Sequence, residues 1–389
     1  MSNPDSTVFH SISTCPACLA DLTHQNIESI TKRQVFDVEI RSYVVEHQVE
    51  SKKCDCGNIT TASFPKSITA PVQIGNNARS ISLLLSAGHF VPLDRVSEIM
   101  ETVFEIPISD TSILKYETDL AKNLEPFHQE SLEYLKKCDV KHSDETGMRV
   151  GKKTHWMHVL CDEFVTYLKH QEKRKVQYED LKGILVHDHY NSYLQLSGVT
   201  HAFCNAHILR ELKALKEYEK EPWACEMHSL LQLMNRAKNE GRLDEKKEKF
   251  FNGVFGKILK RGLDYHESLL LFEPKKKRGR QKRRIGHNLL LRLQEYREGT
   301  LLFMNRVDVP FTNNQAERDL RMVKVKQKVS GCFRTISGVE NFAINRSYIA
   351  TSKKNDLNIL EAIKTAMSGS VSLSSIFTPY KSGLPALIA

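Results

Sequence analysis

The sequence predicts a mixed α/β fold, a sheet with helices packed against it, and two observations predict it. From Cys138 to Cys204 apolar residues alternate in short runs, three in series and then two separated by helical stretches. On either side, from Asn77 to Glu125 and from Ala206 to Met304, the apolar spacing is helical. Strands in series followed by strands separated by helices fit one mixed sheet with helices on its faces. Composition agrees: 40% hydrophobic and 26% charged residues are those of a globular protein, and 389 residues suffice for two or three domains.

The elements follow in order. Cys15-Pro-Ala-Cys18 and Cys54-Asp-Cys56-Gly57 are two close cysteine pairs flanking an apolar, β-rich segment, Val35 to Val49. The N-terminus lacks the basic-then-apolar layout of a secretory signal, so a cytoplasmic chain is expected, where such pairs favour zinc over disulfides. Four thiolates from Cys15, Cys18, Cys54 and Cys56 would close a tetrahedral shell around Zn²⁺, a structural site. The second pair is spaced more tightly than the first. The other five cysteines read as small core residues.

Apolar residues at Ile81, Leu84, Leu85 and Val91, then Val96, Ile99, Met100 and Phe104, predict two helices, and a third begins near Asp110. These fit either a helix-turn-helix that enters a DNA groove or a packing layer. Cys138, Val140, His142 and Asp144 alternate along a strand expected to end in the turn-like Glu145-Thr-Gly147. Thr154–Cys161 and Phe164–His170 read as strands joined at Asp162-Glu163, followed by Gly183–Asp188 and His201–Cys204. Asp144 and Asp188 are thus expected at strand ends, where α/β sheets commonly build their sites. Two aspartates joined by a glutamate from a helix make a hard oxygen site for Mg²⁺ or Mn²⁺. A pair of such ions, about 3.5–4 Å apart, can flank a scissile phosphate. With 47 acids in the chain a triad alone has little specificity.

A helical glutamate is offered by Pro310–Thr335. Pro310 and Asn313-Asn314 suit a turn and helix cap, and Ala316, Leu320 and Val323 suit the buried side of a helix. Glu317, Arg321, Lys324 and Lys328 recur on one face, an acid with bases below it. By itself that is an ordinary solvated face with charge pairs; on the resemblance given below, it is one placed to take phosphates. Further helices are expected over 337–351 and 357–367, then a Ser-, Pro- and Gly-rich tail. Nearly all of the net charge of +9 sits in one run of eight bases without an acid: Lys275, Lys276, Lys277, Arg278, Arg280, Lys282, Arg283 and Arg284. Such a block is a solvated linker or a phosphate-binding loop. No apolar run is long enough to span a bilayer.

Five words occur in order: SDETGMRV (143–150), THWMHVL (154–160), VHDHYNSY (186–193), HAFCNAHILREL (201–212) and VPFTNNQAERDLRMVKVKQKVSGCFRT (309–335). Together they resemble the transposases of the insertion sequence 66 family, from about Cys15 to Ala350. The resemblance implies a ribonuclease-H-like catalytic domain with an Asp–Asp–Glu triad, carried here by Asp144, Asp188 and Glu317. It implies Mg²⁺ (or Mn²⁺) as cofactor, binding to the terminal inverted repeats of an element, nicking, and attack of a freed 3′-hydroxyl on target DNA without a covalent protein–DNA link. The cysteine pairs then look like a zinc finger and the helices after them like a DNA-binding region. Implied partners are double-stranded DNA, further copies of the chain on that DNA, and accessory proteins of the same element; the implied location is the bacterial cytoplasm, at the nucleoid. Fourteen residues precede Cys15, where family members often carry a longer leader.

The domain plan is a zinc-finger-like region (1–70), a helical region (71–136), a catalytic core in two parts (137–205 and 306–368) split by a helical insertion with the basic loop (206–305), and a tail (369–389). Cys204-Asn-Ala-His207 resembles a word of several Asp–Asp–Glu transposases. His207 either orients the flanking strand or a metal-bound water or is a structural histidine; His201, Cys204 and His207 as a second metal site is the lesser reading. Arg334, after Gly331, either reaches DNA or forms a structural ion pair. A nuclease or resolvase on the same fold, and a non-catalytic DNA-binding regulator, are the alternatives.

Overall fold

The computed structural model describes residues 3–269 and 283–376. Lys275, Lys276, Lys277, Arg278, Arg280 and Lys282 of the basic run, and the tail beyond Ile376, lie outside the described residues. Near the N-terminus β1 (Ser51–Lys53) and β2 (Ile59–Thr61) form a short hairpin around Cys54-Asp-Cys56-Gly57. The expected strand structure over Val35–Val49 is not formed: Val35, Phe36, Val38 and Val44 stand exposed. Alternation selects a strand only when a neighbouring backbone supplies ladder hydrogen bonds and a core takes the apolar face. Neither is adjacent here.

The central sheet contains β3 (Val140–Val150), β4 (Lys153–Cys161), β5 (Thr166–Gln171), β6 (Gly183–His187) and β7 (Val199–Phe203), in the order β5-β4-β3-β6-β7. β3, β4 and β5 are antiparallel; β6 and β7 run parallel to β3. β3 does not end at Glu145-Thr-Gly147 as its composition suggests. Those residues pair with Met157, Trp156 and their neighbours, and the turn comes at Gly151, whose φ of +55° suits glycine. Asp144 therefore lies within β3, while Asp188 directly follows the last residue of β6.

The period-two pattern gives the sheet two apolar faces. Leu160, Tyr167 and Leu185 face a layer built from α1 (Asn76–Leu83), α2 (Leu93–Phe104), α3 (Asp110–Asn123) and α4 (Glu125–Lys137), with Leu83, Met100, Leu120 and Phe127 fully buried. Helices 76–137 thus share one core with the sheet, and α3 spends its apolar stripe on packing. Short α5 (Asn191–Leu194) links β6 to β7. The opposite face is covered in two halves. Ile184, Val186 and Ala202 pack under α6 (Asn205–Ala214), α7 (Pro222–Asn239), α8 (Glu245–Ser268), α9 (Ile285–Glu295) and α10 (Arg297–Asn305). α10 crosses β7 at Gly299, where a Cβ would meet the His201 carbonyl at 2.5 Å, so only glycine allows the contact.

Met148, Met157, Val159 and Leu168 pack under α11 (Asn314–Ser330) and α12 (Ile336–Lys354). α13 (Ile359–Ser368) and the start of the expected tail return to the first face, burying Ile363, Val371, Leu373 and Ile376. At about 1.5–3 kcal/mol for each fully buried large apolar side chain, both layers hold the sheet rigid. No helix among the described residues is long and apolar enough to cross a membrane.

Candidate active site

The parallel register between β3 and β6 pairs His142 with Val186. The paired register ends there; Asp144 lies two residues beyond His142 within β3, and Asp188 two residues beyond Val186, just past the end of β6. One oxygen of each is fixed by backbone: Glu145 N–H donates to Asp144 Oδ1 at 2.9 Å and Tyr190 N–H to Asp188 Oδ1 at 2.8 Å. The second oxygen of each carboxylate remains for another partner.

Glu317 enters from the first turn of α11, and Asn313 sets that turn in place. Expected as a helix cap, Asn313 makes no side-chain cap bond and is instead buried against β3. Its Nδ2 donates to the Ser143 carbonyl at 2.8 Å, so its Oδ1 accepts from His142 Nδ1 at 2.9 Å. Its backbone N–H donates to Cys204 Sγ at 3.1 Å, and Asn205 N–H donates to the Phe311 carbonyl at 3.0 Å. The helix start is thereby tied to β3, one residue before Asp144, and to the end of β7. Asn313→Ala leaves a buried imidazole N–H and a carbonyl without partners, at about 1–3 kcal/mol each. We expect a loss of roughly 2–5 kcal/mol in urea unfolding; an unchanged midpoint would contradict the clamp.

Burial, with the Glu145, Asp188 and Glu317 carboxylates around it, lifts the Asp144 carboxyl to about 7. The Glu145 N–H opposes this without cancelling it. Asp188 and Glu317 thus act on Asp144 through their charge, but the three acids are not brought within 4.8 Å of one another as one donor set. Glu145, on the other face of β3, has its own carboxyl raised by burial and held by Tyr193 Oη at 2.6 Å and Arg174 Nε at 2.9 Å. The Arg174 guanidinium lies over Tyr190, 4.0 Å from the ring centre, and over Trp156. This cluster braces β3 and the Asp188–Tyr190 turn from behind.

The tightest donor set, however, is another one. A sulfur, a ring nitrogen and a carboxylate oxygen from Cys204, His207 and Glu317 lie within 4.8 Å of one another, the one such group of three among the described residues. Asp144 and Asp188 do not belong to it. His207 Nδ1 lies 4.0 Å and Arg210 Nη2 3.7 Å from Glu317 Oε1. Both His207 Nδ1 and Glu317 Oε1 are buried atoms without a hydrogen-bond partner. Glu317 Oε1 thus faces the cation Arg210 without a hydrogen bond, a position suited to positive charge. A carboxyl raised chiefly by burial, and further by neighbouring carboxylates, suits a cation at Asp144 too.

Comparison with protein-family models matches residues 72–341 to the family described as Transposase IS66 family. The chain belongs to that family. No curated protein sequence matches it. Asp144, Asp188, Glu317, Cys204 and His207 all fall within the matched residues, and the two N-terminal cysteine pairs fall outside them. Membership of a transposase family sets the class of chemistry as cleavage and transfer of DNA, with divalent metal use.

The remaining predicted residues of this transposase-family chain are placed as follows. Arg321, Lys324 and Lys328 stand exposed along α11, joined by Arg318, and Lys324 donates to the Gly147 carbonyl of β3. Asp319 turns to the opposite side, pairing with Lys354 at 2.8 Å. Arg334 is exposed next to buried Phe333, whose backbone is bridged to the end of β3. Arg283 and Arg284 lead into α9. His201 does not join Cys204 and His207; its Nδ1 meets His187 Nε2 at 2.9 Å. Cys15 and Cys18 form one thiol contact and Cys54 and Cys56 another, with Cys15 and Cys54 lowered by backbone N–H groups. The two pairs are not brought together in a set of three donors.

Sequence reasoning missed Glu145, Arg174, Tyr193 and Arg210. For Arg210 there was a signal: Cys204, His207 and Arg210 recur every three residues, one side of a helix start. For the Glu145 cluster there was none, since an alternating strand does not tell which face receives a tyrosine and an arginine.

Proposed function

We propose that the chain is a DNA transposase that binds the terminal inverted repeats of an insertion sequence, nicks the DNA and transfers the freed 3′-hydroxyl. We assign the metal-binding triad to Asp144, Asp188 and Glu317 on a ribonuclease-H-like sheet. The observation that supports this reading is that Asp144 and Asp188 each follow the paired His142 and Val186 by two residues, while the charges of Asp188 and Glu317 both act on the Asp144 carboxyl. A sheet of three antiparallel strands continued by two parallel ones, with the acids on its central pair, supports the fold assignment.

When bound there, Mg²⁺ or Mn²⁺ supplies positive charge at the phosphate and activates the attacking oxygen. The chain's own part is positioning. Backbone N–H groups fix the rotation of both aspartates, and Asn313 fixes the approach of Glu317. Arg210, long and exposed beside Glu317, can release it and take a phosphate oxygen. Arg318, Arg321 and Lys328 line the same helix, where backbone phosphates leading from the cut would lie. Structural Zn²⁺ is proposed for the N-terminal thiols: each pair is half a tetrahedral shell, and joining them would order residues 15–56.

Purified protein incubated with Mg²⁺ and labelled element ends is expected to give both nicked ends and joined products. Hydrolysis without joining would mark a nuclease, and binding without cutting would mark a regulator; either overturns the proposal. For the basic run, replacing the eight bases of 275–284 with neutral residues should weaken binding to all DNA sequences alike. The slope of log affinity against log salt should become shallower by about 0.9 for each phosphate that the run no longer neutralises. An unchanged slope would make the run a linker.

A further inference from the structure

We propose that Cys204, His207 and Glu317 form a second cation site, for Zn²⁺ or a similar borderline-soft divalent ion, sharing Glu317 with the proposed triad. The donor types choose the ion: thiolate and imidazole favour zinc over magnesium, which prefers oxygen alone. Three protein ligands leave the fourth tetrahedral position open to water or to a DNA oxygen.

The local structure supplies each donor for a reason. Cys204 ends β7 and begins α6, and His207 follows three residues later on the same side of the helix. Glu317 is delivered opposite them because Asn313 and Phe311 dock the start of α11 on that junction. Bonds of about 2.0–2.3 Å place tetrahedral zinc ligands roughly 3.3–3.8 Å apart. The observed set, within 4.8 Å and with His207 to Glu317 at 4.0 Å, needs a contraction of well under a side-chain rotamer step. The sulfur is wholly buried and accepts the Asn313 N–H, the kind of bond that stabilises a thiolate. The orphaned His207 Nδ1 and Glu317 Oε1 are the other two ligand atoms. Arg210 is the competing cation, and it is exposed enough to swing away.

Cobalt(II) in place of zinc reads this site directly, through the thiolate-to-metal charge-transfer band. In full-length protein with Cys15, Cys18, Cys54 and Cys56 all changed to serine, one equivalent of Co²⁺ is expected to bind with that band. Cys204→Ser should abolish the band, and His207→Ala, at a partly exposed position that folding tolerates, should weaken binding at least tenfold. Zinc counted in the otherwise wild-type chain should fall by one equivalent in His207→Ala, which covers the case of a four-serine protein that does not fold. A band that survives Cys204→Ser, or zinc content unchanged in His207→Ala, would overturn the proposal. Asp188→Asn should leave Co²⁺ binding intact while ending Mg²⁺-dependent cutting, so failure here and failure of the joining chemistry are told apart.

Discussion

Asp188→Asn is expected to lower strand cutting and joining by at least roughly a thousand-fold, with the fold and DNA affinity retained. The charge of a metal at a scissile phosphate is worth several kcal/mol in the transition state, and about 4 kcal/mol is a factor of 10³. An amide keeps the shape of the side chain and can still accept the Tyr190 N–H at Oδ1, so the turn after β6 survives. What it lacks is the negative charge. Glu317→Gln should behave alike, since its first-turn position on α11 does not depend on charge. Single-turnover rates on labelled element ends, beside circular dichroism and DNA-binding curves, separate loss of chemistry from loss of structure. Cutting that persists within tenfold of the wild type would exclude these carboxylates as metal ligands.

The second large effect runs the other way. Asp144→Asn should stabilise the metal-free protein at neutral and higher pH by roughly 2–4 kcal/mol, even as it removes activity. The ordinary carboxyl value of 3.8 rises to about 7 in the folded chain, where burial and three carboxylates disfavour the charge. A folded value above the unfolded one means the folded protein holds the proton more tightly. The resulting stability is fully present below about pH 4 and is lost as pH rises through about 7. The asparagine removes that decline. Cation binding must displace the same proton, so apparent Mg²⁺ affinity should fall about tenfold per pH unit below 7 and level off above it. Thermal unfolding of wild type and Asp144→Asn at pH 5 and pH 8, without metal, tests the sign. Equal stability differences at both pH values would show that Asp144 titrates as an ordinary surface acid.

Buried carboxylates are costly to fold, and those costs are placed where the sequence could show only part of them. Asp144, Asp188 and Glu317 are singled out by the sequence because each sits in a distinctive word. Their surroundings are less legible. Glu145-Thr-Gly147 has turn-forming composition, yet β4 pairs it into a ladder, and Asp144 lies inside a strand as a result. Val35–Val49 has strand composition without a neighbouring strand, and remains exposed. Asn313 has the chemistry of a helix cap; its amide is used instead to tie α11 to β3, because the helix start is buried against His142 and Ser143. Cys204 and His207 are visible together in the sequence, where His201 is their third partner only in the lesser reading and His207 otherwise orients a strand or water or is structural. In the fold His201 is committed to His187 across β6 and β7, and the carboxylate near Cys204 and His207 is that of Glu317, brought by α11. Non-local contacts of this kind carry no periodic signal in one sequence.

The most direct measurement is an anomalous-scattering map of crystals grown with Mn²⁺. The account predicts manganese at about 2.1–2.3 Å from carboxylate oxygens of Asp144, Asp188 and Glu317 together. Manganese bound elsewhere, or held by only one of these side chains, would contradict it.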